Sequence, residues 1–241
     1  MRMLAFARRN MREMLRDPLT MFFGAGFPLI LLMLLSLIQA NIPVPLFMPE
    51  SLAPGVAAFG QSFLALFAAL LVSRDRCSAL MLRLRTSPMR GADFILGYVL
   101  PLMPLALAQG ALCMIAALFL GLDFGPGLVR TLLALLPGAV MNVALGIICG
   151  CLLNERQAGG ICGALLTNVG AWLSGVWFDL SLVGETFEKI ARMLPFANSV
   201  EAARAALAGG DVLGPLAVVC VYAAVLGMLA VWIFASRALE T

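Results

Sequence analysis

The alternation of charged and apolar positions divides this chain into six long uncharged stretches. No Asp, Glu, Lys or Arg falls between residues 17 and 50, 50 and 74, 93 and 123, 130 and 155, 156 and 179, or 211 and 237. An α-helix rises about 1.5 Å per residue and the hydrocarbon layer of a bilayer is about 30 Å thick, so about 20 apolar residues cross it once. Each uncharged stretch is long enough to do so.

These stretches show no alternation of polar and apolar residues, which favours helices over the strands of a membrane barrel. The sequence therefore predicts an all-α integral membrane protein. We expect six transmembrane helices near residues 20 to 39, 54 to 73, 94 to 120, 130 to 153, 158 to 178 and 214 to 236, in a single transmembrane domain covering residues 1–241. The first apolar stretch is too long for a signal-peptide core, so we expect it to remain as the first span.

Basic residues are divided unequally between the two sides that this topology defines. One side has only Arg130, Lys189, Arg192 and Arg204. By the positive-inside rule, the richer side is cytoplasmic and carries both termini. The richer side contains Arg2, Arg8, Arg9, Arg12, Arg16, Arg74, Arg76, Arg83, Arg85, Arg90, Arg156 and Arg237. We expect a multi-pass protein of the plasma membrane, specifically a bacterial inner membrane.

Composition excludes several functions. Hydrophobic residues make up 62% of the chain and charged residues 12%, and there is no histidine. An intramembrane enzyme needs a base or metal ligands at membrane depth, so we expect no catalytic, cofactor or metal site in this chain. The net charge of +3 is explained by topology and by lipid headgroups, and we expect no nucleic acid partner. The single lysine, Lys189, lacks the glycine-rich context of a phosphate-binding loop, so any ATPase must be another protein.

Two segments on the basic side carry further information. Residues 1–18 place Leu4, Ala7, Met11 and Met14 at helical spacing, with arginines on the remaining surface. This pattern is typical of an amphipathic helix in the membrane interface, although a plain membrane anchor explains it equally well. The loop 74–93 is the longest cytoplasmic connection, and it predicts a short helix that Pro88 ends.

The connection 179–213 predicts two short amphipathic helices on the outer side. Glu185 with Lys189 and Glu188 with Arg192 are opposite charges four residues apart. Pro195 is expected to end the first helix, and the second is expected to begin with Asn198 as N-cap and to stop at residues 209–210. These helices form either a re-entrant outer gate or a simple packed cap.

Few polar side chains lie within the predicted spans. Gln61, Asn142 and Asn168 are interpreted as groups that join helices, with contact to a transported substrate as the alternative. Gly146 and Gly150 form a small-residue face suited to close helix packing, including packing between subunits. Five of the six cysteines lie in apolar stretches and are interpreted as small hydrophobic residues.

Taken in order, three segments resemble the type-2 permease family of ATP-binding-cassette (ABC) transporters. The first is the basic entry Leu15-Arg16-Asp17-Pro18, followed by Pro28. The second runs from Arg74 through Leu80, Leu82, Thr86, Ser87 and Pro88 to Ile95-Leu96-Gly97. The third combines Leu194-Pro195 with Ala203-Arg204 and Gly209.

This resemblance implies a permease that pairs with a second permease subunit, identical or different, and with a separate nucleotide-binding ATPase subunit that holds ATP and Mg. It implies an elbow interface at Arg8, Arg12, Arg16 and Asp17 and an outer gate at Pro195 and Arg204. It also implies a coupling segment for the ATPase subunit that includes Arg74, Arg76, Leu80, Leu82, Arg83, Arg85 and Pro88.

The leading hypothesis is therefore the permease subunit of an ATP-driven exporter. The alternative is a six-span secondary carrier or channel that acts without an ATPase, and a nontransporting assembly or sensor subunit also remains open. The absence of an acidic residue or histidine within the spans argues against a carrier driven by protons or sodium.

Overall fold

The computed structural model describes residues 2–43, 47–78 and 91–239. In these residues there are helices and short connections and no strand, so the prediction of an all-α fold is confirmed. The helices are α1 (Arg2–Arg16), α2 (Pro18–Gln39), α3 (Pro49–Arg76), α4 (Gly91–Phe119), α5 (Gly127–Leu152), α6 (155–173), α7 (Glu185–Met193), α8 (Pro195–Ala208) and α9 (Leu213–Leu239).

Five helices are long and apolar enough to cross a membrane: α2, α3, α4, α5 and α9. They coincide with five of the six predicted spans. The remaining predicted span, near residues 158 to 178, corresponds to α6, which ends at residue 173 and is not among the five. It begins with the polar residues Glu155, Arg156 and Gln157, and a π-helical turn occupies Ile161–Leu166.

Helix α2 begins where the sequence predicts, immediately after α1. The Asp17 carboxylate accepts hydrogen bonds from the backbone N–H of Leu19 at 3.1 Å and from the hydroxyl of Thr20 at 2.8 Å. Pro18 occupies the first helical position, where its missing N–H costs nothing. Asp17 is therefore the N-cap of the first apolar helix.

Helix α3 is the centre of the bundle. Within its most apolar 18 residues 89% are buried, against 22% for α2 and for α9. A methyl group added to Gly146 of α5 would collide with the carbonyl oxygen of Ala65, and one added to Gly150 would lie 2.7 Å from the carbonyl oxygen of Ala69. The predicted small-residue face therefore brings α5 against the backbone of α3 within one chain.

Helix α6 runs antiparallel along α3. Glu155 pairs with Arg74, and further along α6 Gly163 faces the side chain of Leu66. The connection that follows α6 brings Trp177 against Phe59, with ring centroids 5.4 Å apart. The segment 155–177 thus follows α3 from its last turn into its first half.

Helix α8 runs antiparallel along the first half of α5. The carbonyl oxygen of Leu207 lies against Gly127, and the hydroxyl of Thr131 donates to the carbonyl oxygen of Ala203 at 3.4 Å. Ser199, near the start of α8, lies beside Gly138, close to the midpoint of α5. The start of α8 is therefore deep in the bundle and its end lies at the surface.

The predicted start of α8 is four residues too late, whereas α7 ends at Met193, just before Pro195 as predicted. Helix α8 begins at Pro195 and not after Asn198, because proline fits the first helical turn, where a backbone N–H has no partner. The side-chain amide of Asn198 instead donates to the carbonyl oxygens of Arg192 and Leu194, at 2.7 and 2.8 Å. The predicted end is confirmed, since Gly209 follows α8 in a left-handed conformation with φ of 76°.

Candidate functional site at the basic end of the bundle

A buried carboxylate joins three helices where α1, the end of α3 and the start of α4 meet; we call this region the basic end. Asp75 lies in the last turn of α3, and 2% of its side chain is exposed. One guanidinium nitrogen of Arg9 lies 2.8 and 2.9 Å from the two carboxylate oxygens of Asp75. The hydroxyl of Tyr98 donates to the same carboxylate at 3.1 Å. Arg9 of α1 and Tyr98 of α4 thus donate to one carboxylate, and Asp75 of α3 links the three helices.

A second contact fastens α1 to α4 beside this carboxylate. Asn10 is fully buried, and its side-chain amide donates to the carbonyl oxygen of Gly97 at 3.1 Å. The ring of Phe6 lies directly on Gly97, where a methyl group would collide with it, and meets the ring of Tyr98 edge-on at 5.1 Å. Glycine at position 97 therefore lets α1 lie flat on α4.

The last helix also reaches the basic end. Phe234 of α9 packs on Phe94 and Tyr98, with ring centroids 5.3 and 6.4 Å apart. Helices α1, α3, α4 and α9 are thus held together around Tyr98, which is fully buried.

Two of the arginines predicted to couple to an ATPase form contacts within the chain. The Nε of Arg74 lies 2.6 Å from a carboxylate oxygen of Glu155. Arg76 donates to the carbonyl oxygen of Gly150 at 2.9 Å and also to that of Cys151, so its charge caps the C-terminal end of α5. The other predicted coupling residues lie outside the described residues: Leu80, Leu82, Arg83, Arg85 and Pro88.

The predicted elbow residues lie on the exposed side of α1. Arg8, Arg12 and Arg16 are exposed, and Asp17 is half-buried as the N-cap of α2. The buried stripe of α1 differs from the predicted one, because Leu4 is 59% exposed. The buried residues are Phe6, Ala7, Asn10 and Met14.

The sequence alone does not identify the central residues of this site. Arg9 falls among the arginines of the predicted exposed face, and nothing in the sequence marks Asn10 or Tyr98. One local signal was present: Asp75 stands between two arginines at the end of an apolar helix, where a lone acid is unusual. Its pairing with a residue 66 positions earlier has no local signal.

The polar residues predicted within the spans fall into two places. Gln61 is 1% exposed, and its carbonyl oxygen, which has no hydrogen-bond partner, lies close to Gly138. Asn142 donates to the carbonyl oxygen of Gly138 at 2.9 Å, so Gln61 and Asn142 both lie beside Gly138. Asn168 lies apart from them, exposed on α6, and donates to the carbonyl oxygen of Ala164 at 2.7 Å.

At the opposite end, Arg204 joins α8 to the start of α3. Its Nε donates to the carbonyl oxygen of Ser51 at 3.0 Å. Burial lowers the pKa of Arg204, but the guanidinium stays charged at neutral pH because its ordinary pKa is so high. Pro195, the other predicted gate residue, opens the same helix and is buried.

The charged residues of α7 form the two predicted pairs. Lys189 lies 2.5 Å from Glu185, and Arg192 lies 2.9 Å from Glu188 and 2.6 Å from Glu201 of α8. Nearby, the hydrogen bonds that Ser181 donates hold the pKa of Asp179 below its ordinary value. No group of three or more His, Cys, Asp or Glu side chains suited to a metal ion occurs in the parts of the chain that the structure describes.

Fold and site together define a multi-pass helical membrane protein whose N-terminal helix is held to two apolar helices by the ion pair of Arg9 with the buried Asp75 and by the hydrogen bond from Asn10 to Gly97. Residues 1–208 match the family model of the ABC-2 type transporter, and the chain belongs to this family. The predicted resemblance to type-2 permeases is thereby confirmed. Permeases of this family are transport components that are generally not catalytic themselves and generally pair with an ATP-binding subunit. A search of curated proteins finds no match.

Proposed function

We propose that this chain is the transmembrane permease subunit of an ATP-driven ABC exporter. It forms part of the substrate path and couples to a separate ATPase subunit, which binds ATP and Mg. One observation carries this proposal beyond family membership: the Arg9–Asp75–Tyr98 network fastens together the two helices that flank the segment 79–90.

The coupling mechanism follows from that arrangement. Residues 79–90 connect α3 to α4, and α1 is fixed to both helices by Asp75 and Asn10. A partner that pushes on residues 79–90 therefore moves three helices as one unit. We assign the contact with the ATPase subunit to this segment, together with the exposed Arg8 on the outer face of α1.

The proposed topology has six crossings, with α6 as the fifth. Helix α6 and the connection after it follow α3 from Arg74 to Phe59, which supports a crossing despite the polar start of α6. An even number of crossings places both termini on one side. The arginines of α1 and of the 74–90 segment put that side in the cytoplasm, with α1 as an elbow helix at the inner surface.

The two peripheral helices suggest where a second permease subunit binds. Helices α2 and α9 expose long apolar surfaces, including Leu37 (66% exposed) on α2 and Trp232 (67%) on α9. We propose that part of this surface meets a second permease, identical or different, and that the rest meets lipid. The setting is the plasma membrane, specifically a bacterial inner membrane.

At the opposite end, α7 and α8 are proposed to form the outer gate. Helix α8 extends from the surface to the middle of α5. Among the described residues, Arg204 alone joins its outer half to the start of α3 by a side-chain hydrogen bond. Separation of α8 from α3 would open a route beside the polar residues Gln61 and Asn142.

The proposal is tested by co-purification from membranes with the ATPase subunit, followed by an ATPase assay. We expect the triple variant Leu80→Ser/Leu82→Ser/Arg83→Ala to insert normally and to lose the ATPase subunit or its stimulated activity. The matched control is Leu182→Ser/Val183→Ser at the opposite end, where both side chains are exposed. Normal coupling in the triple variant would contradict the proposal, and transport by this chain alone along an ion gradient in proteoliposomes would favour a secondary carrier.

A further inference from the structure

An open cavity of about 570 Å³ lies between α1 and the end of α3. Its opening is rich in arginine. The cavity shares one residue, Arg9, with the Asp75 network. The residues around it are Arg9, Arg12, Glu13, Arg16, Asp17, Pro18 and Arg74.

Both acidic groups in this cavity are already bound within the chain. The Glu13 carboxylate lies 2.6 Å from a guanidinium nitrogen of Arg9. The Asp17 carboxylate accepts from the N–H of Leu19 and the hydroxyl of Thr20. Among the described residues, neither acid forms a hydrogen bond or ion pair with Arg12 or Arg16.

Three arginines still have guanidinium donors that no described residue binds, although the Asp17 carboxylate, whose hydrogen bonds come from uncharged groups, also attracts Arg74. Arg12 and Arg16 lie four residues apart on the same face of α1, are exposed, and have no hydrogen bond or ion pair among the described residues. Arg74 uses its Nε for Glu155, which leaves the terminal guanidinium nitrogens. Guanidinium groups bind phosphate through paired hydrogen bonds, so this set suits a phosphate group.

Apolar side chains lie beside the arginines toward the membrane span. A small adjoining space is lined by Met14, Phe67, Leu70 and Leu71 and also by the polar residues Glu13, Asp17, Thr20 and Arg74. Leu70 and Phe67 lie one and two turns from Arg74 toward the middle of α3, and Leu19 of α2, also near the opening, is 65% exposed. A basic opening beside the exposed side chain of Leu19 and the partly exposed side chain of Leu70 matches a phospholipid better than a free phosphate ion.

We propose that this cavity binds an anionic phospholipid of the bilayer. Arg12, Arg16 and Arg74 donate to its phosphate, and an acyl chain lies along Leu70 and Leu19. The site needs no ATPase subunit, so it is tested on the permease alone and stands or falls separately from the proposed coupling.

The test compares lipid binding by the purified chain in nanodiscs that contain spin-labelled phosphatidylglycerol or spin-labelled phosphatidylcholine. We expect the immobilised fraction to favour phosphatidylglycerol, and Arg12→Gln/Arg16→Gln to reduce that preference roughly fivefold per arginine removed. The matched control is Arg8→Gln/Arg156→Gln, which removes two exposed arginines that do not line the cavity.

Each outcome decides the proposal. Loss of preference in the first variant, with the control unchanged, supports the site. An equal loss in both variants would show a diffuse surface charge effect and overturn it, as would the absence of any preference. Displacement of the labelled lipid by millimolar inorganic phosphate would assign the arginines to a soluble anion. An unchanged melting temperature in each variant shows that the fold is intact.

Discussion

Helix α3 is held in two different ways along its length. In its middle, it meets α5 through Gly146 and Gly150, which have no side chains, against Ala65 and Ala69. At its basic end, it meets α1 through Asp75, whose carboxylate receives hydrogen bonds from Arg9 and Tyr98. The first contact relies on close backbone approach, and the second on buried charge.

This difference follows from the surroundings of each contact. Lipid tails are as apolar as the helices, so burial of apolar side chains gives little drive for association inside a bilayer, and small residues that allow dense packing provide it instead. At the end of the bundle, the buried carboxylate of Asp75 receives hydrogen bonds from α1 and α4 and holds the three helices as one unit. The middle contact therefore depends on close packing, and the end contact, which we call the joint, depends on hydrogen bonds to one buried carboxylate.

Asp75→Ala is expected to have the largest effect on stability. It removes the acceptor of both Arg9 and the fully buried Tyr98, and loss of one partner of a buried pair costs about 3 to 5 kcal/mol. Because the Arg9 side chain is 40% exposed and can be hydrated once it loses its partner, we expect the free energy of unfolding to fall by about 2 to 4 kcal/mol. The measurement is denaturant unfolding of the purified chain in detergent.

The matched control for Asp75→Ala is Glu13→Gln. Glu13 is the other acidic partner of Arg9, 2.6 Å away, but its side chain is 32% exposed and lies on the same helix. A loss of about 0.5 kcal/mol or less is expected there. Equal losses of stability in both variants would mean that the burial of Asp75 adds nothing to the strength of its contact with Arg9.

Gly146→Ala tests the contact in the middle of α3. The new methyl group would meet the carbonyl oxygen and Cα of Ala65, both backbone atoms, so one helix must shift. Overpacking of this kind costs about 1 to 3 kcal/mol. Gly159→Ala is the control, since its nearest neighbour would be 3.9 Å away on the flexible side chain of Leu70 and alanine favours a helix. If Gly146→Ala left the free energy of unfolding unchanged, α3 and α5 would be less closely packed than described.

The apolar framework could be predicted from the sequence because each span has its own local signal. Uncharged stretches gave five of the helices now seen as candidate spans, and Pro18 and Gly209 marked two helix boundaries through their fixed backbone preferences. Helix α6 has a weaker signal, because Glu155, Arg156 and Gln157 at its start lower its hydropathy. The start of α8 is predicted too late because Pro195, which correctly marks the end of α7, also occupies the first position of α8.

The candidate site could not be predicted in the same way. The exposed arginines Arg8, Arg12 and Arg16 were found because exposed charges on an amphipathic helix show in the sequence. Arg9 and Asp75 were missed because their roles depend on two helices that approach from distant parts of the chain. A charge looks the same in a sequence whether it is solvated or buried against a partner.

The smallest expected effect on stability is that of Glu155→Gln. This variant compares an exposed ion pair with the buried carboxylate of Asp75 at the same end of the bundle. The Arg74–Glu155 pair is short, 2.6 Å, but its side chains are 43% and 53% exposed, so its loss should cost about 0.5 kcal/mol or less. In about 1 M salt the Debye length is about 3 Å, and the difference from the parent chain should disappear, whereas the loss caused by Asp75→Ala should persist.

Glu155→Gln has a second consequence, for lipid binding. It releases the Nε of Arg74 and removes a negative charge beside the basic cavity, so the preference for phosphatidylglycerol should rise while stability hardly changes. Spin-label immobilisation and denaturant unfolding on the same preparation check both expectations. A large loss of stability, or a fall in lipid preference, would mean that the pair positions Arg74 and that the joint extends from Asp75 to α6.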